Sequence, residues 1–176
     1  MNRSQLEHVI RAASTIADDE ELIIVGTQAV LGQFPDPPAE LVASVDVDLY
    51  PKNRPERADL IDGSIGELSP FHQTYGYYAH GVGTETSVLP QGWQDRLVPV
   101  RSESTRGATG WCVELHDLLV AKAVAGREKD LRFLESVASH GFADRKILLD
   151  RLEATQLDDD VRQAVEARLK RVFLVS

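Results

Sequence analysis

Residues 40–50 alternate: Val45, Val47 and Leu49 point one way, and Ser44, Asp46, Asp48 and Tyr50 the other. A period of two is the pleat of a β-strand with one face for a core and one for polar surroundings, so the chain must build a sheet. Side chains two apart on such a strand stand roughly 6.6–7 Å apart, which sets the like charges of Asp46 and Asp48 side by side. That repulsion calls for an offsetting cation or for full solvation.

The flanking sequence supplies the rest of an α/β pattern. Leu22-Ile23-Ile24-Val25 is a short apolar run rich in β-branched residues, which predicts a buried strand; Gly26 ends it, and a helix is expected over 27–34, closed by Pro35, Pro37 and Pro38. Ahead of it, Leu6, Val9, Ile10, Ala13 and Ile16 recur at helical spacing behind a capping box read at Ser4-Gln5-Leu6-Glu7. A glycine-interrupted helix is expected over 56–68. Short β-like runs follow at 74–78, 86–89, 97–100 and 110–115, then three helical stretches at 115–139, 143–154 and 158–173. In the last, Leu157, Val161, Val165, Leu169 and Val172 form one stripe. The expected fold class is α/β (α+β): a mixed sheet in residues 1–113 carrying a helical extension over 114–176.

The 176 residues are 43% apolar, enough to fill a single core, and no apolar run approaches the length of a membrane span. With 19 Lys plus Arg against 28 Asp plus Glu, the net charge of −9 weighs against a surface that grips nucleic acid throughout. The N-terminus lacks a signal-peptide pattern, and the lone Cys112 can form neither an internal disulfide nor a zinc thiolate cluster, so a cytoplasmic setting is expected.

Paired carboxylates at the end of an apolar strand suit Mg²⁺, which takes one or two carboxylates and completes its shell with water and substrate phosphates. Phosphoryl or nucleotidyl transfer is the chemistry such a site serves. The alternative is an edge-strand face bathed in water. Gly26 strengthens the first reading, because a glycine at a strand end lets backbone approach a phosphate, and Thr27 adds a hydroxyl. Strand, glycine turn, helix and then Asp-x-Asp about 20 residues on is much rarer than any one part.

In this order the sequence resembles the DNA polymerase β-like nucleotidyltransferase superfamily, with Gly26-Thr27 and Asp46-Val47-Asp48 standing in its two motifs. The later Leu115-His116-Asp117-Leu118-Leu119-Val120-Ala121-Lys122 through Arg127-Glu128-Lys129-Asp130 is similar to the Lys…Arg…Asp helical motif of the AbiEii-type branch, known for nucleotidyltransferase toxins of toxin–antitoxin systems. The resemblance implies a mixed-sheet nucleotidyltransferase core that moves a nucleotidyl group from an NTP to an RNA or protein acceptor. It implies that Asp46 and Asp48 hold Mg²⁺, that Gly26 and Thr27 contact the triphosphate, and that Lys122 orients it, with Asp130 as a further site residue. It also implies a cognate toxin or antitoxin partner. A third metal carboxylate belongs on a subsequent strand; Glu85 is given that place, with Asp62 and Asp95 as rivals. The competing reading keeps the fold without catalysis, as a regulator or partner-binding protein.

Physical chemistry adds two conditions. Lys122, among Leu118, Leu119, Val120, Ala121, Ala123 and Val124, must either snorkel to water or meet an anion. Asp130 lies eight residues on, a rise of about 12 Å along an unbroken helix, so the two share a site only if Gly126 breaks it or a ligand spans them. The tyrosines and Trp93 of the middle segment are read as core residues, base stacking being the alternative. His8, His72, His80, His116 and His140 show no zinc spacing; His72 and His80 are the two candidates for a general base.

Overall fold

The computed structural model describes residues 1–174. Five strands, β1 (Glu21–Ile24), β2 (Asp46–Pro51), β3 (Tyr78–Gly81), β4 (Val98–Val100) and β5 (Thr109–Cys112), form one mixed sheet in the order β3-β2-β1-β5-β4. β1 runs antiparallel to β2 and parallel to β5; β2 and β3 are parallel, β4 and β5 antiparallel. The α-helices are α1 (Arg3–Ala17), α2 (Val30–Gln33), α3 (Ala58–Ile65), α4 (Pro70–Tyr75), α5 (Leu115–Ala125), α6 (Glu128–Ser139), α7 (Arg145–Glu153) and α8 (Asp159–Leu169). The α+β class and the C-terminal run of helices are as the sequence pattern requires.

Alternation assigns the two sheet faces. Leu22, Ile24 and Leu49 point to one, where Ile10 of α1 reaches Gly110 of β5; a Cβ on Gly110 would collide with Ile10 and Ile24. Ile23, paired with Tyr50 and Trp111, points to the other, and the period of two puts Asp46 and Asp48 there as well. One apolar cluster runs from Leu6 and Ile10 through the sheet to Leu118, Leu134, Leu152 and Leu169 of the C-terminal helices. Among the described residues no helix is long and apolar enough to cross a membrane.

Several expected elements move. The capping box of α1 is built by Asn2 and Gln5, two residues earlier than Ser4-Glu7, because Asn2-x-x-Gln5 fits the same template. The helix expected over 27–34 is a 3₁₀ turn at Thr27–Ala29 followed by one α turn, so little helix dipole accumulates there. β2 starts only at Asp46; residues 39–42 form a 3₁₀ turn and Val45 is exposed. Residues 74–78 are not a strand: Ser69 caps and Pro70 starts α4, which runs to Tyr75, and β3 begins at Tyr78. Residues 86–89 belong to no strand. The single stretch 115–139 is two helices, parted at Gly126 in the left-handed conformation, φ +62°. On α8, Val165 and Leu169 are buried while Val161 is exposed.

Candidate functional site

β2 carries the two acidic side chains toward β3 in register Asp46 to Tyr78 and Asp48 to His80. His80 Nδ1 lies 3.2 Å from Asp48 Oδ1, and its Nε2 lies 4.0 Å from Asp62 on α3. The place opposite Asp48 on the neighbouring strand is thus taken by an imidazole. Glu85 does not take it: residues 82–89 are irregular, and Glu85 is exposed beside Gly83, outside both cavities described below. Negative charge is concentrated here. Burial raises the pKa of the Tyr78 hydroxyl, and the neighbouring carboxylates of Asp46, Glu67, Asp48 and Asp62 raise it further.

Gly26 is fitted to this strand by close approach. A Cβ added to it would strike the Asp48 carboxylate, while the Val25 N–H donates to the Asp48 carbonyl at 3.1 Å. Beyond the glycine, buried Gln28 donates its side-chain amide to the Ser44 carbonyl at 2.8 Å and to the Ser44 hydroxyl at 2.9 Å, tying the turn to the entry of β2. The turn that follows β1 and the strand bearing the carboxylates are therefore one rigid unit, with the Thr27 side chain beside it.

The helical motif also folds as the spacing demanded. The break at Gly126 turns α6 back, so Lys122 Nζ reaches Asp130 Oδ1 at 3.0 Å, and Arg127 Nε reaches Asp130 Oδ2 at 2.7 Å. Lys122 therefore already has its anion, and it is a side chain of this protein. Burial acts to raise the Asp130 pKa, but hydrogen bonds from Arg127 and Lys122 prevail and hold it below the usual aspartate range. Asp130 is fully buried and lines neither cavity near the carboxylates; the side chains it meets there are those of Lys122 and Arg127.

Two cavities meet at the carboxylate pair. The larger, about 410 Å³, is lined by Thr27, Ser44, Lys129, Arg132, Phe133 and Ser136 among others; the smaller, about 220 Å³, by Gly26, His80, Thr86, Ser87, Leu118 and Arg127 among others. Asp46, Asp48, Lys122 and Lys129 line both. An acidic wall from β2 thus faces a basic wall from α5 and α6 across a space within the usual range for small ligands. Sequence reading brought together Gly26, Thr27, Asp46, Asp48 and Lys122 and named His80, with His72, as a candidate base; His80 lines the smaller cavity and His72 lines neither, and Lys129 and Arg132 were not read as site residues.

Among the described residues no three His, Cys, Asp or Glu side chains converge as a ready metal cage. Two carboxylates on one strand face, with Asp48 lying close against the glycine turn, nonetheless fit a hard cation whose remaining ligands are water and phosphate oxygens. A family model for a nucleotidyltransferase of unknown function (DUF6036) matches residues 4–172. The chain belongs to this family. In this nucleotidyltransferase the match takes in every element from α1 to α8, so the helical extension is part of the family's architecture as much as the sheet is. No curated protein and no solved structure matches the chain significantly.

Proposed function

We propose that the protein is a Mg²⁺-dependent enzyme that transfers a nucleotidyl group from an NTP to a hydroxyl or phosphate of an RNA or protein acceptor. The observation that carries this reading is the junction of Asp46 and Asp48 with Gly26 on one side and Lys122 on the other, at the meeting of two cavities. The larger cavity, with Thr27, Lys129 and Arg132, suits the triphosphate; the smaller, with His80, Thr86 and Ser87, suits the acceptor group. Mg²⁺ held by Asp46 and Asp48 would supply charge neutralisation on the phosphoryl oxygens.

The chain's own residues do the rest by position and charge. Thr27 and the glycine turn orient the phosphates, and Lys122, fixed by Asp130, faces the charge that develops during transfer. The acceptor oxygen bonds to the α-phosphorus, the bond from that phosphorus to the leaving pyrophosphate breaks, and the acceptor's proton passes to solvent. The similarity of 115–130 to the AbiEii-type motif supports a role in a toxin–antitoxin pair with a cognate partner, and the single buried Cys112 fits a reducing cytoplasm.

The deciding experiment incubates the protein with labelled NTPs, Mg²⁺ and total RNA or cell protein, in parallel with Asp48→Asn. Label should enter an acceptor with the native chain and not with the variant. Label that enters equally with Asp48→Asn discards the mechanism. No label, together with no NTP binding at millimolar concentration by calorimetry, favours the non-catalytic regulator, a reading that the imidazole in place of a third carboxylate also serves.

A further inference from the structure

A third cavity lies on the same sheet face as the carboxylates, further along the strands. It is about 470 Å³ and is lined by Tyr50, Lys52, Thr84, Trp93, Gln94 and Trp111 among others. Tyr50 is two residues beyond Asp48 on β2, roughly 6.6–7 Å along the strand and on the same side. Both tryptophans of the chain are here.

Each wall is held from behind. Trp111 stands on β5 with its indole N–H donated to Glu21 Oε1 at 3.0 Å, and the Lys52 ammonium lies 5.0 Å from its ring centre. Trp93 opens a 3₁₀ turn, Trp93–Arg96, that is pinned through Arg96: its guanidinium binds buried Asp117 at 2.9 and 3.0 Å. Among the described residues no aromatic ring stacks on either indole. The Tyr50 ring is buried, the residue being 6% exposed, while its hydroxyl is bonded to no protein group among the described residues and stays open to a partner from solvent. Burial raises its pKa, so it remains a donor at neutral pH.

We infer that this cavity is a nucleobase site, in which a base lies against the indoles of Trp93 and Trp111 while Tyr50, Gln94 and Thr84 hydrogen-bond its edge. Two indoles on which no other aromatic ring stacks among the described residues, Trp111 meeting only the Lys52 ammonium, together with a phenol hydroxyl free of protein partners, match a planar heterocycle that carries donors and acceptors on its rim. Lys52, the one charged residue of the lining among the described residues, is already paired with Glu21 at 3.0 Å, so the site needs no charge on the ligand, and an uncharged nucleoside satisfies it. The inference does not depend on nucleotidyl transfer: the site lacks the carboxylates and needs no metal.

Because both tryptophans line this one cavity, intrinsic tryptophan fluorescence reads its occupancy. The protein is titrated with adenosine, guanosine, cytidine and uridine in the presence of a chelator, with free N-acetyltryptophanamide as the optical control. At least one nucleoside should give saturable quenching beyond the control, with half-saturation in the millimolar range or tighter. Trp93→Leu should weaken that binding roughly fivefold or more through lost stacking. Tyr50→Phe, which removes only an oxygen and leaves the fold in place, should weaken it as well. Absence of quenching by all four nucleosides overturns the assignment. So does tyrosinamide binding as tightly as the best nucleoside, or a nucleoside affinity that Tyr50→Phe leaves untouched. Since metal is excluded, none of these outcomes bears on the carboxylate site.

Discussion

The Asp48 carboxylate fills the space that a side chain at Gly26 would need, well inside van der Waals contact. The glycine's φ is −83°, a value open to any residue, so its necessity comes from this approach and not from its backbone angle. Gly26→Ala must therefore push the carboxylate off its place or part β1 from β2. Nucleotidyl transfer is expected to fall by tenfold or more, with far-UV circular dichroism unchanged and a modest drop in melting temperature. Full activity in this variant would detach Asp48 from the reaction.

Lys122 and Asp130 form a buried ion pair, which is costly to break and cheap to replace whole. Asp130→Leu alone strands a lysine that is 8% exposed, and a loss of about 3–5 kcal/mol is expected by chemical denaturation. The double change Lys122→Met with Asp130→Leu should recover most of that loss, since Arg127, the third member, is exposed enough to turn to solvent. Transfer should remain lost in the double variant. Recovery of both stability and activity would mean that Lys122 serves packing alone.

How far the sequence foretold this arrangement depends on how much signal each segment carried. β1 and β2 were legible because four apolar residues ending at a glycine, and a clean alternation with two aspartates, each admit few structures. The meeting of Lys122 with Asp130 was legible as a condition, since helix rise forbids it without a break at Gly126. β3 was not legible: Tyr78-Ala79-His80-Gly81 is short and half exposed, and it becomes a strand by pairing with β2, a long-range fact. His80 was legible only as one of two candidate bases, because the register alone sets it opposite Asp48. Glu85 was chosen because the family resemblance asks for a carboxylate on a later strand and its segment looked β-like; the segment forms no strand, so the carboxylate has no pleat to aim it.

Acid stability follows from the same ion pairs. The folded-state pKa of Asp130 lies below its unfolded value, so its contribution is fully present above the ordinary aspartate pKa of about 3.9. It is lost as the pH falls from there through the lower folded pKa. The stability gap between the native protein and Asp130→Asn, measured by denaturant titration, should be constant from pH 7 to 5 and shrink below about pH 4. A gap that widens on acidification would show that burial outweighs Arg127 and Lys122 in setting this pKa.

Gly126 is the hinge on which the helical half of the site turns. Its φ of +62° is left-handed, a region that costs a residue with a side chain about 1–2 kcal/mol. A Cβ there would also meet the Arg168 guanidinium of α8, whose Nη1 donates to the Ala123 carbonyl at 2.7 Å and so caps the end of α5. Gly126→Ala thus strains the turn and displaces a cap together. A loss of stability of about 2 kcal/mol is expected, strain and cap combined. Because the turn sets the approach of Lys122 to Asp130, the variant should also lose transfer out of proportion to the fraction unfolded. Gly126→Asn should be milder on both counts, as asparagine tolerates the left-handed region better. Equal activity in alanine, asparagine and native chains would show that the Lys122–Asp130 pair forms whatever the geometry of the turn.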